Sequence, residues 1–498
     1  MKPLIDSSSS DRLPRVLGPW MATAIVIGTV IGSGVFKKPY AVAKDVPDFG
    51  LAMLAWVLVG FLALLGALAL AEVATILPKA GGNYVFLREG YGRLAGFLWG
   101  WVEFWIIRTG SIAALASVFS ESIHDAIREA RGLPVGAEVI GFWARQAMTV
   151  AVIFALALVN VRGVRWGGLL QLGITTVKIS SLVGIILLPF LVLGFVSEPQ
   201  YPPRLSYITP AFPADWGAVN WSKFGTALVG VIWAYHGWMN IAPIAEEIKD
   251  PQRNIPRALL LGVGTIIALY LGANLAYYLV IPQPDMILLR DTPVSTAFSE
   301  RLLGSSGGII ASLAIGISVF GALNGNILVG PRLLYAMGED KLAPSWLSQL
   351  HSKFRTPVSA TMVMAGWSCA IVLLSALWLR NPLPTFSLFG TDLNPNPPAG
   401  KSGFDLITDY AMFGAIALET LAVAAIYSLR ITRRNAVREY RCPGYPVVPA
   451  IYITIMFAVW INKLVTDTTE SLIGVAFIVG GAILYLTALR QPGQVIKK

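Results

Sequence analysis

Charged residues are scarce in this sequence. Asp, Glu, Lys and Arg make up only 13% of its 498 residues, whereas a soluble domain carries about 25%. Hydrophobic residues make up 55%, and the mean hydropathy is +0.65. This composition excludes an ordinary soluble domain and predicts a polytopic membrane protein.

Cysteine and histidine are also rare, with two cysteines and three histidines. Cys369 lies in an apolar segment and Cys442 in a predicted loop, so no structural disulfide is expected. The histidines are scattered at His124, His236 and His351. Because the sequence also lacks HExxH, GxxxxGK[ST] and any Cys/His cluster of metal spacing, we predict no metal, no cofactor, no ATP hydrolysis and no metal catalysis.

Long apolar segments, by contrast, are abundant. The residues before the first one lack the pattern of a removable signal peptide, so that segment is predicted to remain in the protein. Twelve segments are long enough to cross about 30 Å of hydrocarbon. They begin near Leu17, Gly50, Leu94, Val139, Gly167, Phe224, Ala258, Ile309, Val358, Leu406, Val448 and Leu472.

Basic residues predict how the chain is oriented. Lys and Arg are concentrated before segment one, after the even-numbered segments and at the end of the chain, which places both termini in the cytoplasm. The predicted location is the plasma membrane, or the inner membrane of a bacterium. The net charge of +10 is explained by this bias and by anionic lipid headgroups, so the lipid bilayer is a predicted partner and nucleic acid is not.

Segments one and six each contain an interruption. Gly28, Gly32 and Gly34 fall within seven residues of segment one, although one interior Gly costs a helix roughly 1 kcal/mol relative to Ala. Segment six is interrupted from Trp233 to Trp238 by WAYHGW. Close helix packing is an alternative explanation for the first two glycines, but paired interruptions in two corresponding halves indicate a transporter site at the membrane midplane.

The direction of each broken segment predicts what it binds. The second half of segment one begins near Gly32, Ser33 and Gly34 with free N–H groups and the positive end of a helix dipole, which suit a carboxylate. The outer half of segment six ends near Trp233 and Ala234 with unpaired carbonyls, which suit an ammonium group. Together they match a zwitterion, so the predicted cargo is a free α-amino acid.

Several longer motifs carry a family resemblance. GSGVF in segment one, WAYHGWMN in segment six, AEVATILPKAGGNYVFLREGYG after segment two and IIRTGS in segment three resemble the amino acid–polyamine–organocation superfamily and its L-type amino acid transporter branch. The resemblance covers nearly the whole chain. It implies an all-α polytopic membrane protein of LeuT-type fold, with a 5+5 inverted repeat, two C-terminal helices and transport by alternating access.

That fold predicts the domains and the substrate site. Residues 1–16 and 490–498 would be cytoplasmic tails, 17–196 and 221–430 the two repeats, and 447–489 the last two segments. By resemblance, Trp233 would also be an aromatic lid over the substrate. The predicted substrate-binding residues are Ile31, Gly32, Ser33, Gly34, Trp233, Ala234, Tyr235, His236 and Gly237.

Polar residues inside the apolar segments suggest further roles. Gln171, Thr175 and Lys178 are spaced to share one face of segment five. By resemblance, Lys178 stands where sodium-coupled relatives bind a cation, so its ammonium would brace segment one without sodium; it could instead carry a proton or reach an interface. Asn274, Ser318 and Asn324 are predicted to take part in coupling or gating, or to connect helices.

Three other predictions concern charge. His236 would either bind cargo or be satisfied by neighbouring residues, and no carboxylate is expected next to either break. Glu103 and Arg108, five residues apart, are expected on different helix faces and hence unpaired. Glu72 at the end of segment two and the Glu246–Glu247 pair near Arg253 and Arg257 are predicted to form ion pairs or inner-gate contacts.

The predicted function is secondary transport of neutral L-amino acids by sodium-independent exchange, without enzymatic activity. The alternatives are a proton-coupled symporter, a carrier of cationic amino acids or polyamines, an amino-acid-binding receptor and an intramembrane enzyme. Animal L-type transporters join a glycoprotein through a cysteine between helices three and four. Residues 122–138 contain no cysteine, so no disulfide-linked heavy subunit is expected.

Overall fold

The described part of the chain is almost entirely helical. The computed structural model describes residues 13–195, 201–289, 292–382, 384, 386–388, 391–393 and 403–489. One antiparallel hairpin joins β1 (Phe386–Leu388) to β2 (Thr391–Leu393). Most of the predicted N-terminal tail, residues 1–12, and the whole C-terminal tail, 490–498, lie outside the described residues.

The first half of the chain forms helices α1 to α8, with a π-helix at Glu103–Arg108 between α5 and α6. The helices are α1 (Pro19–Val30), α2 (Gly34–Asp45), α3 (Phe49–Ile76), α4 (Asn83–Tyr91), α5 (Arg93–Val102), α6 (Thr109–Ala130), α7 (Phe142–Val161) and α8 (Val164–Phe195).

The rest of the described chain forms helices α9 to α18, with a 3₁₀ helix at Trp238–Glu247 after α9. The helices are α9 (Trp221–Tyr235), α10 (Pro251–Val280), α11 (Gln283–Met286), α12 (Val294–Leu303), α13 (Ser305–Val329), α14 (Pro331–Glu339), α15 (Val358–Arg380), α16 (Gly403–Thr432), α17 (Val447–Thr466) and α18 (Thr468–Leu484).

These helices confirm the predicted fold class. Within the described residues, 11 helical stretches are long and apolar enough to cross a membrane. Segment six is not among them because its break divides it into α9, with 15 residues, and the 3₁₀ helix, with 10; with it there are twelve. Most predicted starts agree closely, and the largest shift is at segment seven, which begins at Pro251 rather than Ala258. The limits of the two repeats stay a prediction.

The two broken segments cross each other in opposite directions. The 3₁₀ helix packs on α1, and α9 packs on α2. Gly34 allows the second contact, because a Cβ there would lie 2.5 Å from the Cα of Ala234. The core of the protein surrounds this crossing: 83% of the most apolar 18 residues of the first broken segment are buried, against 11% for the last span.

Backbone hydrogen bonds seal one end of the crossing. At the face where α1 begins, here called the inner face, the amides of Val16 and Leu17 each donate to Glu247 O at 3.0 Å, and Lys249 N donates to Leu17 O at 2.9 Å. Arg332 Nε donates to Glu247 Oε1 at 2.8 Å. The predicted ion pair of Glu247 is confirmed, and its partner is the arginine of α14, which is close in space rather than in sequence.

A second buried carboxylate ties α3 to the later helices. Both oxygens of Glu72 accept from Arg430, at 2.8 and 2.6 Å, and Cys442 N donates to Oε2 at 2.7 Å. The predicted ion pair of Glu72 is confirmed. Cys369 and Cys442 are both free and buried, in agreement with the expected lack of a disulfide.

Candidate functional site

A small cavity lies where the two breaks meet. It encloses about 30 Å³, far below the roughly 300–1,000 Å³ of drug-sized ligand pockets, so the structure represents a contracted form of the site. We call it the first cavity. Its lining residues are Thr29, Val30, Gly32, Ser33, Gly34, Ser111, Leu115, Trp233, His236, Gly237, Asn240 and Asn326.

The break in segment one presents hydrogen-bond donors to this cavity. Helix α1 ends at Val30 and α2 begins at Gly34. Because the first N–H groups of a helix have no acceptor within it, the start of α2 offers amide donors and a positive dipole end. The hydroxyl groups of Ser33 and Ser111 are also buried here and have no protein partner.

The break in segment six depends on a glycine. Helix α9 ends at Tyr235, one residue later than predicted, and Gly237 then adopts φ 113°, a backbone conformation that costs glycine little. The carbonyls predicted to be unpaired are already bonded once, Trp233 O to His236 N at 3.1 Å and Ala234 O to the Tyr270 hydroxyl at 3.0 Å. Each carbonyl has a second lone pair for a further donor.

Tyr270 of α10 lies between the two breaks. Its hydroxyl oxygen is 3.1 Å from Val30 O and 3.0 Å from Ala234 O. The ring of Tyr235 packs against Trp56 and Tyr270, with centroids 6.1 and 5.0 Å apart, and so faces away from the cavity. Neither Ile31, Ala234 nor Tyr235 lines the first cavity, and their role in substrate binding stays a prediction.

Trp233 occupies the position expected of a lid. It lines the first cavity and is 9% exposed. Its ring lies parallel to that of His236, at an interplanar angle of 4° and a centroid distance of 6.0 Å. The two rings are therefore neighbours in the wall of the cavity.

His236 is paired with a carboxylate that the sequence did not place. Its Nε2 lies 2.9 Å from Glu419 Oε1, and Glu419 belongs to α16. The expectation that no carboxylate lies next to either break is wrong, because tertiary packing brings segment ten to the break of segment six.

Glu103 and Arg108 form a buried ion pair, contrary to prediction. Arg108 Nε and Nη2 lie 2.8 and 2.5 Å from Glu103 Oε1, and Nη1 donates to Asn326 Oδ1 at 2.6 Å. In an α-helix residues i and i+5 point about 140° apart. The π-helix at Glu103–Arg108 has i→i+5 hydrogen bonds and places both side chains on one face.

A second cavity, of about 10 Å³, lies on the inner side of the first. Asn240 lines both cavities. The two ion pairs adjoin them: Glu419 lines the second and bonds to His236 of the first, while Arg108 lines the second and bonds to Asn326 of the first. The other lining residues of the second cavity are Gly81, Asn83, Trp99, Glu103, Met239, Pro243, Val329, Gly330 and Leu333.

Lys178 braces the first break. Its Nζ donates to Gly28 O at 2.7 Å and to Ile31 O at 2.6 Å. Gln171, Thr175 and Lys178 are all buried, and Thr175 Oγ1 donates to Ala24 O at 3.0 Å, so the predicted polar stripe faces α1. The alternative that Lys178 extends to an interface is wrong, since the residue is 2% exposed.

The three remaining coupling candidates lie in different places. Ser318 Oγ is 3.1 Å from both Ile31 O and Gly32 O, and so contacts the first break. Asn324 Nδ2 donates to Gln171 Oε1 at 2.9 Å and thereby joins α13 to α8. Asn274 Nδ2 donates to the carbonyl of its own helix at Tyr270. Neither asparagine lines the first cavity.

The residues of the site that sequence reasoning missed include five with polar side chains from outside the predicted breaks: Tyr270, Ser111, Asn240, Asn326 and Glu419. Asn240 is three residues from Gly237 and could have been included by extending the break. The others come from α6, α10, α13 and α16, where a single polar residue on an apolar helix gives no signal of what it faces. Within the described residues, no group of three or more His, Cys, Asp or Glu side chains could hold a metal.

Two broken helices that cross at a polar midplane cavity define the class of membrane transporters with discontinuous helices. A family model described as amino acid permease matches residues 17–483. The chain belongs to this amino acid permease family.

Named relatives span most or all of the chain. The serine/threonine exchanger SteT of Bacillus subtilis (strain 168) is 32% identical over 95% of this chain and 96% of that protein. Asc-type amino acid transporter 1 of Mus musculus is 30% identical over 74% of this chain and 66% of that protein. The cystine/glutamate transporter of Homo sapiens is 26% identical over 95% of this chain and 85% of that protein.

Proposed function

We propose that this protein is a secondary transporter of neutral L-amino acids that works by sodium-independent exchange. The observation that carries the proposal is the meeting of a helix N-terminus and a helix C-terminus at one buried cavity. An anionic group is favoured at the first end and a cationic group at the second. An α-amino acid carries a carboxylate and an ammonium group on the same carbon atom.

In this proposal the backbone at Gly32, Ser33 and Gly34 binds the substrate carboxylate. The second lone pairs of the Trp233 and Ala234 carbonyls bind the ammonium group, and Trp233 covers the bound molecule. Tyr270 supports both ends by bonding to carbonyls of either break. Ile31, Tyr235 and Gly237 shape the breaks and do not touch the cargo side chain.

Lys178 supports the lack of sodium dependence. Its amino group already donates to the carbonyls of Gly28 and Ile31, which are oxygen ligands of the kind that a hard cation takes. Ser318 bonds to the same break and, in the proposal, helps couple its movement to α13. Asn324 connects α13 to α8, whereas Asn274 bonds within α10.

A small neutral side chain fits the first cavity best. Glu103 is paired with Arg108 and Glu419 is bonded to His236, while Ser111, Asn240 and Asn326 line the cavity with neutral hydrogen-bonding groups. SteT and the human cystine/glutamate transporter are named for amino acids with different side chains. Membership of the family therefore does not decide which side chain this protein carries. SteT, matched over nearly all of both chains, is named for serine and threonine.

The proposal includes the cellular setting. Both termini would be cytoplasmic, because basic residues are concentrated in the loops on that side, and the membrane would be the plasma or inner membrane. No catalytic activity is assigned. No disulfide to a heavy subunit is expected, because both cysteines are buried.

Counterflow in proteoliposomes tests the proposal. Vesicles loaded with unlabelled serine should take up labelled serine many times faster than empty vesicles, equally well with sodium or choline as the external cation. Excess alanine or threonine should compete, whereas lysine and glutamate should not. Strict dependence on sodium would contradict the role of Lys178, and equal uptake by empty vesicles would contradict exchange.

A further inference from the structure

The neighbourhood of the first cavity holds four ionisable side chains that the proposed function leaves without a role. Glu103 and Arg108 pair at 2.5 Å, and His236 and Glu419 pair at 2.9 Å. Glu103 and Arg108 are buried, and the side chains of His236 and Glu419 are only 12% and 11% exposed. Both pairs adjoin the passage between the two cavities.

Charge balance distinguishes the two pairs. Arg108 is always protonated, so it compensates Glu103 at any physiological pH. The carboxylate of Glu419 is paired only with a histidine, whose charge changes within the physiological pH range. With a neutral ring, the group of four carries one uncompensated negative charge in the membrane interior, where such a charge costs about 2.5–3.5 kcal/mol or more. With a protonated ring, the group of four is neutral.

Among the described residues, the surroundings of His236 supply no cation other than Arg108, which is paired with Glu103. The charged groups near the ring are Glu419 of α16 and the Glu103–Arg108 ion pair of the π-helix. Helix α17 contributes the Tyr452 hydroxyl, which interacts with Glu419. Thr29 and Ser33 of segment one, Ser111 of α6 and Asn326 of α13 are neutral.

We propose that the His236–Glu419 pair is a proton-binding site that controls closure of the substrate site, an inference that rests on the proposed function. The pair joins the break of segment six to α16, so binding a proton strengthens the contact between these two elements in the closed form. Alternating access passes through a closed form in each half-cycle. Loss of the proton therefore raises the free energy of that form and slows exchange.

The test measures counterflow of labelled serine with the same pH on both sides of the vesicle, between about pH 5.5 and 8. Wild-type exchange should fall as the pH rises, by up to tenfold per pH unit for one proton. His236→Gln and Glu419→Gln should each remove this dependence. The control His351→Gln changes an exposed histidine of the loop before α15 and should keep the wild-type pH profile.

The double variant His236→Gln/Glu419→Gln guards against misfolding, because it leaves two neutral groups that can still hydrogen-bond. Its thermal unfolding should resemble that of wild type, and its exchange should be independent of pH. A wild-type pH profile in His236→Gln or in the double variant would overturn the inference. Exchange by wild type that does not depend on pH would also overturn the inference, but it would leave the proposed function intact. Failure of wild-type counterflow at every pH would contradict the proposed function itself.

Discussion

At the scale of single residues, the first cavity contains two buried hydroxyl groups that have no partner in the protein. Buried polar groups are normally hydrogen-bonded, and leaving one unpaired costs about 1–3 kcal/mol. Ser33 and Ser111 both have buried hydroxyls without a protein partner, and both line the first cavity. We infer that cargo bonds to them.

Replacing either serine should therefore weaken binding without weakening the fold. Ser33→Ala and Ser111→Ala should each raise the half-saturating serine concentration about 2- to 12-fold, since one net hydrogen bond contributes about 0.5–1.5 kcal/mol. The midpoint temperature of thermal unfolding should be unchanged or slightly higher. The control is Ser181→Ala, because the Ser181 hydroxyl bonds to Val177 O of its own helix. This variant should bind serine normally. Normal serine affinity in both cavity variants would contradict this assignment.

Glu300 of α12 gives a prediction about pH and stability. Burial raises its pKa above the usual range, and Arg128 opposes the shift. A carboxyl group with a raised pKa in the folded protein contributes stability below its unfolded pKa, and this stability is lost as the pH rises through the folded pKa. Glu300→Gln should thus stabilise the protein at pH 7.5, by less than about 1 kcal/mol at this half-exposed position.

Thermal unfolding at neutral and acidic pH checks this expectation. The gain from Glu300→Gln should be largest at neutral pH and vanish below about pH 4, near the unfolded value of a Glu carboxyl. Glu138→Gln is a suitable control, because that side chain is 59% exposed. A gain that grows on acidification would have the wrong sign and contradict the assigned shift.

At the scale of elements, the breaks were predictable and the π-helix was not. Glycines in corresponding segments indicated where both helices stop, and the structure places each stop within two residues of the predicted position. Glu103–Arg108 contains no residue that marks a π-helix, and simple helical spacing separates its two charges. Likewise, Glu419 reaches the site only through packing of α16, which no local pattern in the sequence records.

Removing only one partner of the Glu103–Arg108 ion pair should lower the stability of the protein. Arg108→Met leaves Glu103 buried without its partner and should destabilise the protein by about 3–5 kcal/mol. Arg108→Met/Glu103→Gln should recover most of that loss, as measured by thermal unfolding in detergent. Arg145→Met serves as the control, because its ion pair with Glu138 is long, at 4.0 Å, and partly exposed. Equal stability of the single and double variants would contradict the pairing.

The crossing of α2 and α9 should not tolerate even one added methyl group. In Gly34→Ala the new Cβ would lie 2.5 Å from the Ala234 backbone, which must move and displace the predicted ammonium ligands. Counterflow should fall more than tenfold. Gly184→Ala is the matched control on α8, where a Cβ meets nothing within 4 Å and Ala favours the helix by roughly 1 kcal/mol. Transport by Gly34→Ala at the control's rate would contradict close packing at the crossing.

At the scale of the whole molecule, the inner face is closed by bonds between elements far apart in the sequence. Glu247 is central to this closure: its carbonyl accepts from Val16 and Leu17, and its carboxylate from Arg332. Composition predicted a charged inner face, but the partner of each charge depends on which helix ends meet. The membrane spans and the two breaks were therefore predictable from hydropathy and glycine placement and the fold from the family resemblance, whereas the gate contacts were not.

Removing the charge of Glu247 should open the inner face. In Glu247→Gln, Arg332 keeps a buried charge without its partner, which disfavours the closed form by several kcal/mol. A cysteine introduced by Asn240→Cys, in a background with Cys369 and Cys442 replaced by Ser, would report the change because Asn240 lines both cavities. Its reaction with a maleimide in detergent should accelerate by about tenfold or more when Glu247→Gln is added. The control Glu439→Gln changes an exposed residue in the loop after α16 and should leave the rate of the maleimide reaction unchanged. An equal effect of Glu247→Gln and Glu439→Gln would rule out the Glu247 contact as the inner gate.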